Sequence, residues 1–207
     1  MTEQKLEEPS VTLADLQVSQ LVVREREARD LWRWERMRAC YLPDSQVTLS
    51  WFQGTGPEFV AQSKTLSETA IPSRHRLGPP TTRIHRDRAI VSLPAAVETY
   101  PTIDGVPTVL TAYCRLLYRA CAVDGTWKIA QLDGVYERDE LVPAVPGQRV
   151  NIDPAELDGL RAPYRLLAWA TARSGYPVSQ DLPADDRPEQ VRELYNAAEA
   201  WAESDRH

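Results

Sequence analysis

The chain has 207 residues, 43% of them hydrophobic and 26% charged, with a formal net charge of −6. That length suits one domain of ordinary size with an appendage, and the composition excludes a disordered or membrane-embedded chain. The acidic balance argues against a nucleic-acid partner, because phosphate binding needs a basic surface.

Residues 1–11 are polar and read as a flexible N-terminus without the apolar run of a signal peptide. From Thr12, an N-cap with Asp15 three residues on, a helix is predicted whose Leu13, Leu16, Leu21, Val22 and Val23 build an apolar face. The arginines between Arg24 and Arg38 alternate with Glu25, Glu27, Asp30 and Glu35, the pattern of a solvated, salt-bridged surface. A second helix is expected from Leu31 to Tyr41, carrying Trp34, Met37 and Tyr41 and stopping before Pro43, with Asp30 at the joint. QVTLSWF (46–52) reads as a strand, and Pro57 opens a third helix to about Ser67.

Residues 69–81 are rich in proline and glycine and read as a loop or irregular strand around His75. Three long strands follow: AIVSLPAAVETY, VPTVLTAYCRLLYRACAV and TWKIAQLDGVYERDELV. Asp124-Gly125 joins the last two as a hairpin turn. Beyond Pro143 the pattern is helical again: one helix begins at Asp153-Pro154 and is broken at Pro163, and another begins near Pro188. The stripe Val191, Leu194, Tyr195, Ala198 and Trp201 on that last helix needs cover, either from the main domain or from another subunit. Helices, then a strand meander, then helices again imply an α+β fold with helices on one face of a curved sheet.

Cofactor and metal motifs fail. Gly54-Thr55-Gly56 has Phe59 where a dinucleotide loop needs its third glycine, and no nucleophile elbow or paired Cys/His spacing occurs. No cofactor and no metal are expected. Three cysteines, Cys40, Cys114 and Cys121, form an odd set without paired spacing, so a reduced, cytoplasmic setting is expected.

The stretches EARDLWRWERMRACYLPDSQVTLSW, SRHRLG, RDRAIVS and VDGTWKI resemble the SnoaL-like branch of the nuclear transport factor 2-like superfamily, over about residues 12–147. The resemblance implies a cone-shaped α+β barrel, a curved antiparallel sheet wrapped around N-terminal helices to enclose a pocket, with residues 148–207 as a C-terminal helical extension. Scytalone dehydratase, bile-acid dehydratases and a dehydrochlorinase of this branch use an aspartate after the first helix and a histidine after the third. These positions fall on Asp30 and His75. The dehydrochlorinase lysine is replaced by Glu25 and its late-strand arginine by Leu132, which speaks against loss of halide.

Taken by itself, His75 suits a base near neutral pH if a carboxylate fixes its tautomer, and it suits an ordinary loop position as well. Asp30 serves either as that carboxylate or as a helix cap or ion-pair partner. Trp34, Tyr41 and Trp51 are candidate pocket walls. Tyr113 and Arg115 share one strand face and would bind a substrate oxygen only if that face is the inner one. His85 reads as a turn residue, and Asp133 and Glu137 as exposed or interfacial. The leading expectation is a cofactor-independent, dehydratase-like lyase acting on a small, mostly apolar carbonyl-containing or cyclic molecule. A polyketide cyclase or isomerase, and a non-catalytic binding or assembly module, are the alternatives. The expected partners are a small-molecule substrate and further copies of the chain, with no nucleic acid and no membrane.

Overall fold

The computed structural model describes residues 11–69 and 73–204. Helix α1 (Leu13–Asp30) begins at a reciprocal cap: the Thr12 hydroxyl accepts the Asp15 backbone N–H, and the Asp15 carboxylate accepts that of Thr12. It ends where Trp32 takes a left-handed φ of 58°, with the Arg33 N–H bonded back to the Ala28 carbonyl at 2.7 Å. The second helix, α2, spans only Trp34–Arg38, shorter than the sequence suggests, and Tyr41 instead opens strand β1 (Tyr41–Leu49). β2 (Phe52–Thr55) and helix α3 (Gly56–Thr69) follow.

Of the two readings for the stretch around His75, loop or irregular strand, the structure has the strand. The residue belongs to β3 (Arg74–Leu77), which pairs antiparallel with the second half of β5 (Arg88–Thr99), His75 lying opposite Val97. The first half of β5 pairs with β4 (Thr81–His85), so His85 closes a strand beside the turn at Arg86. β6 (Thr102–Ile103), β7 (Val106–Val123) and β8 (Thr126–Pro143) complete an eight-stranded sheet whose main path runs β2-β1-β8-β7-β5-β3. Asp124 and Gly125, at φ of 48° and 74°, make the β7–β8 turn, and Asp104-Gly105 repeats that device before β7. The sheet is not wholly antiparallel: β1 enters beside β8 in parallel, with α3 and the six strands β2 to β7 between them in the chain. Irregularities in the β7–β8 register at Tyr113/Cys114 and Arg119/Ala120 bend the long hairpin.

The bend wraps the inner sheet face around α1 and α3. Val18, Leu21 and Val22 of α1 and Phe59 of α3 pack against Val91, Leu93, Leu116, Tyr118 and Leu132. Strand alternation sends every second β7 residue inward, so Cys114, Leu116 and Tyr118 face the core. After β8 the chain makes two short 3-10 helices (Pro154–Leu157 and Ala162–Tyr164), then α4 (Arg165–Arg173) and α5 (Pro188–Glu203). The apolar stripe of α5 is covered by the chain itself: Leu194, Tyr195, Ala198 and Trp201 pack with Ile90 and Leu117 on the outer sheet face. No helix is long and apolar enough to cross a membrane among the described residues. Residues 1–10 and His207 lie outside the described residues.

Candidate active site

Asp30 ends α1 and His75 is the second residue of β3, so the packing of helix end against sheet edge brings them together. Asp30 Oδ1 lies 2.6 Å from His75 Nδ1, and Oδ2 accepts the His75 backbone N–H at 2.8 Å. Both carboxylate oxygens thus hold one residue. An ionised carboxylate only accepts, so Nδ1 carries the ring proton and Nε2 keeps its lone pair. That nitrogen stands 3.5 Å from Arg26 Nη1. The next residue, Arg76, points out to solvent and pairs with Glu98, as strand alternation requires.

Only 5% of the imidazole side chain is exposed. Burial pushes its pKa down to about 4; the Asp30 hydrogen bond opposes this, and the Arg26 and Arg29 charges reinforce it. The ring is therefore neutral at physiological pH. Burial works to raise the Asp30 pKa, but the hydrogen bonds from His75 outweigh it and leave it below the ordinary value.

Behind the pair lies a polar cluster that the sequence pattern misreads. Glu25 and Arg26 are 0% and 1% exposed rather than solvated. Arg26 binds Glu25 through two contacts of 2.5 Å, and the hydroxyls of Tyr41 and Tyr118 donate to Glu25 at 2.9 and 3.3 Å. Burial opposes the Arg26 charge, yet the adjoining carboxylate holds its pKa well above normal. Such an ion pair survives burial because its remaining lone pairs are hydrogen-bonded.

In front of the pair is a cavity of about 610 Å³. Its base is sheet: Leu49, Val97, Ala112, Cys114, Leu116 and Tyr136. Arg26, Arg29, Trp32 and Trp34 form one side, with Trp51, Ser63 and Ser67 beside them. Leu167, Ala170 and Thr171 of α4 and Tyr176 beyond it close the far side. Arg29 lies 5.7 Å from the Trp51 ring centroid and donates to Ser73 Oγ at 2.5 Å. Burial and the neighbouring Arg26 lower its pKa to about 10, which leaves it charged at neutral pH. Tyr136 accepts the Ser50 backbone N–H at 2.7 Å, and burial raises its pKa, so its own proton is held for donation. An apolar enclosure with a few convergent polar groups is the ordinary form of a small-molecule site.

Of the residues singled out in the sequence, His75, Trp34 and Trp51 line this cavity, and Asp30 stands behind His75 and holds it. Tyr41 stands behind it, hydrogen-bonded to Glu25. Tyr113 and Arg115 are corrections: they occupy the outer sheet face, Tyr113 donating to Glu140 at 2.6 Å and Arg115 pairing with Glu137 and Asp185. Asp133 is also a correction, being 6% exposed, with burial raising its pKa to about 6. Leu132 is core. Sequence reasoning missed Arg29, Ser63 and Tyr136. Arg29 had one available signal, its position next to Asp30 on the same helix. Among the described residues no three His, Cys, Asp or Glu side chains converge as a metal site requires. The Cys114 thiol on the cavity floor is pushed up to about 12 by burial, so it stays protonated.

Residues 10–133 match the family model of the SnoaL-like domain. An uncharacterized protein, AN9274, from Emericella nidulans is 30% identical over 188 residues, spanning 84% of this chain and 79% of the relative. Among solved structures, a putative scytalone dehydratase from Novosphingobium aromaticivorans superposes with a TM-score of 0.52 at 16% identity, covering 67% of this chain and 96% of that one. A hexachlorocyclohexane dehydrochlorinase from Novosphingobium barchaimii gives 0.54 at 13% identity, covering 68% and 95%. The likeness to these two is one of fold: a curved sheet around N-terminal helices.

Proposed function

The chain belongs to the SnoaL-like family, and from that premise we propose that it is a cofactor-independent lyase of the dehydratase type. Its substrate is a small, mostly apolar molecule with a carbonyl group or ring. The observation that carries this reading is the 2.6 Å contact of Asp30 with His75 at the wall of the cavity, which leaves Nε2 as a lone-pair acceptor. Nε2 takes a proton from a carbon acidified by the neighbouring carbonyl, and Asp30 stabilises the imidazolium. The electron pair left on that carbon forms the double bond as the adjacent C–O bond breaks. The proton on Nε2 passes to the departing oxygen, water leaves, and the ring is neutral again. A base with a pKa of about 4 is weak by itself. Charge growing on the substrate oxygen beside Arg26 and Arg29 offsets that weakness in the transition state. Both structural neighbours are named for eliminations, and this reading extends that chemistry to the present chain.

A second reading, a cyclase or isomerase, uses the same base without a leaving group. In its favour, no carboxyl side chain lines the cavity among the described residues to protonate a departing hydroxyl. The mass of the product separates the two readings: loss of one water fits the lyase, and unchanged mass fits the isomerase or cyclase. The base itself is tested by following the histidine rings by NMR in the native chain and in Asp30→Asn. His75 is expected to stay neutral well below the ordinary value of about 6.5, and to fall further when the carboxylate is removed. Titration of His75 near that ordinary value, indifferent to Asp30→Asn, would discard the base and favour a binding module.

A further inference from the structure

Arg29 is a cavity-wall cation with its neighbouring carboxylates committed elsewhere. Glu25 is held by Arg26, and both oxygens of Asp30 are held by His75. Among the described residues Arg29 makes one side-chain hydrogen bond, to Ser73, and has no carboxylate within ion-pair distance. A guanidinium offers five N–H donors, so one bond leaves most of them free to meet a ligand in the cavity. A second polar group lining the cavity has no partner among the described residues. Ser63 is 3% exposed, lines the cavity, and its hydroxyl has no hydrogen-bond partner among the described residues. It lies one helical turn beyond Phe59, whose ring is 5.4 Å from that of Trp51, the ring on which Arg29 rests. Buried polar groups are ordinarily hydrogen-bonded, and an orphan in a ligand cavity marks a place for a ligand atom.

We propose that Arg29 and Ser63 form an oxyanion subsite, so that the cavity takes a ligand bearing an anionic oxygen, such as a carboxylate, phenolate or enolate, on an otherwise apolar body. This rests on and deepens the lyase reading, because abstraction of a carbon-bound proton by His75 puts charge on just such an oxygen. The subsite and the base can nevertheless fail separately.

The test is calorimetric titration of the full chain at neutral pH with β-naphthoate and with its neutral counterpart, β-naphthamide. The native chain is expected to bind the acid at least about tenfold more tightly than the amide, as a charge-assisted hydrogen-bonded pair would. In Arg29→Gln the amide should still bind, reporting an intact cavity, while the preference for the acid disappears. Arg29→Lys should retain part of it, and Ser63→Ala should weaken the acid by about threefold to tenfold. Equal affinities in the native chain, no measurable binding of the acid, or a preference that survives Arg29→Gln would overturn the subsite. His75→Gln should keep the preference while abolishing turnover. Loss of turnover in His75→Gln alongside equal affinities in the native chain would remove the subsite and leave the base standing.

Discussion

His75 is buried as a neutral ring, and that makes the fold's stability depend on pH in a defined direction. Its folded pKa is about 4 against an ordinary value of about 6.5. Between those values the unfolded chain binds the extra proton, so the contribution is full above the upper value and is lost as pH falls toward the lower. The loss amounts to roughly 3 kcal/mol at its limit. The stability difference between the native chain and His75→Gln, followed by urea unfolding, should therefore shrink by that order between neutral pH and about pH 4. A constant difference would mean that the ring titrates alike in both states. The Glu25–Arg26 pair makes a second prediction. Replacing Arg26 with Met leaves a carboxylate buried among phenols, and should cost about 3–5 kcal/mol, whereas Glu25→Leu with Arg26→Met should recover much of it. Single and double variants compared by denaturant midpoint check this. Asp30 and His75 were legible as candidates from the sequence. The buried pair was not, because alternating charges on a helix look the same whether they face water or two tyrosines.

At the scale of elements, helix type and position were readable while environment was not. The α5 stripe follows helical spacing, but spacing says only that something must cover it. The cover is the outer face of β5 and β7, with Arg88 and Arg119 guanidinium carbons 5.1 and 5.9 Å from the Trp201 ring centroid. Trp201→Ala should cost about 2 kcal/mol, less than a fully buried tryptophan because this one is only partly buried. Urea unfolding that left the midpoint unchanged would show that α5 docks without that ring. β3 was left open between a loop and an irregular strand for a different reason: four residues between prolines and Gly78-Pro79-Pro80 carry too short a pattern to decide. Its pairing with β5, not its own propensity, makes it a strand.

At the scale of the whole molecule, the segment after β8 completes the cavity. The family model ends at residue 133 and does not include α4, yet α4 supplies the far side of the cavity. Several contacts hold it: Asp139 accepts the Leu167 backbone N–H at 2.7 Å, the Trp169 indole donates to Glu156 at 2.8 Å, and Arg173 reaches Asp104 at 2.7 Å. Arg161 fastens the return loop to Asp186 and to the Leu182 carbonyl. A chain ending at residue 147 should therefore expose the apolar floor around Leu110, Leu116 and Tyr136. It should bind a dye such as anilinonaphthalene sulfonate strongly while keeping its strand signal in circular dichroism. Unchanged dye binding would mean that the cavity is closed without this segment.

Composition, strand propensity and the Asp124-Gly125 turn determined the α+β class and the long meander, since these depend on neighbours along the chain. The resemblance of a few short phrases located Asp30 and His75. Only the tertiary structure decided which face of β7 looks inward, and so excluded Tyr113 and Arg115 from the cavity while admitting Cys114 and Leu116. It also decided that Arg29, Ser63 and Tyr136 share a wall with His75. Periodicity separates two faces of a strand but does not say which one meets the core, and that choice is made by packing between segments far apart in the chain.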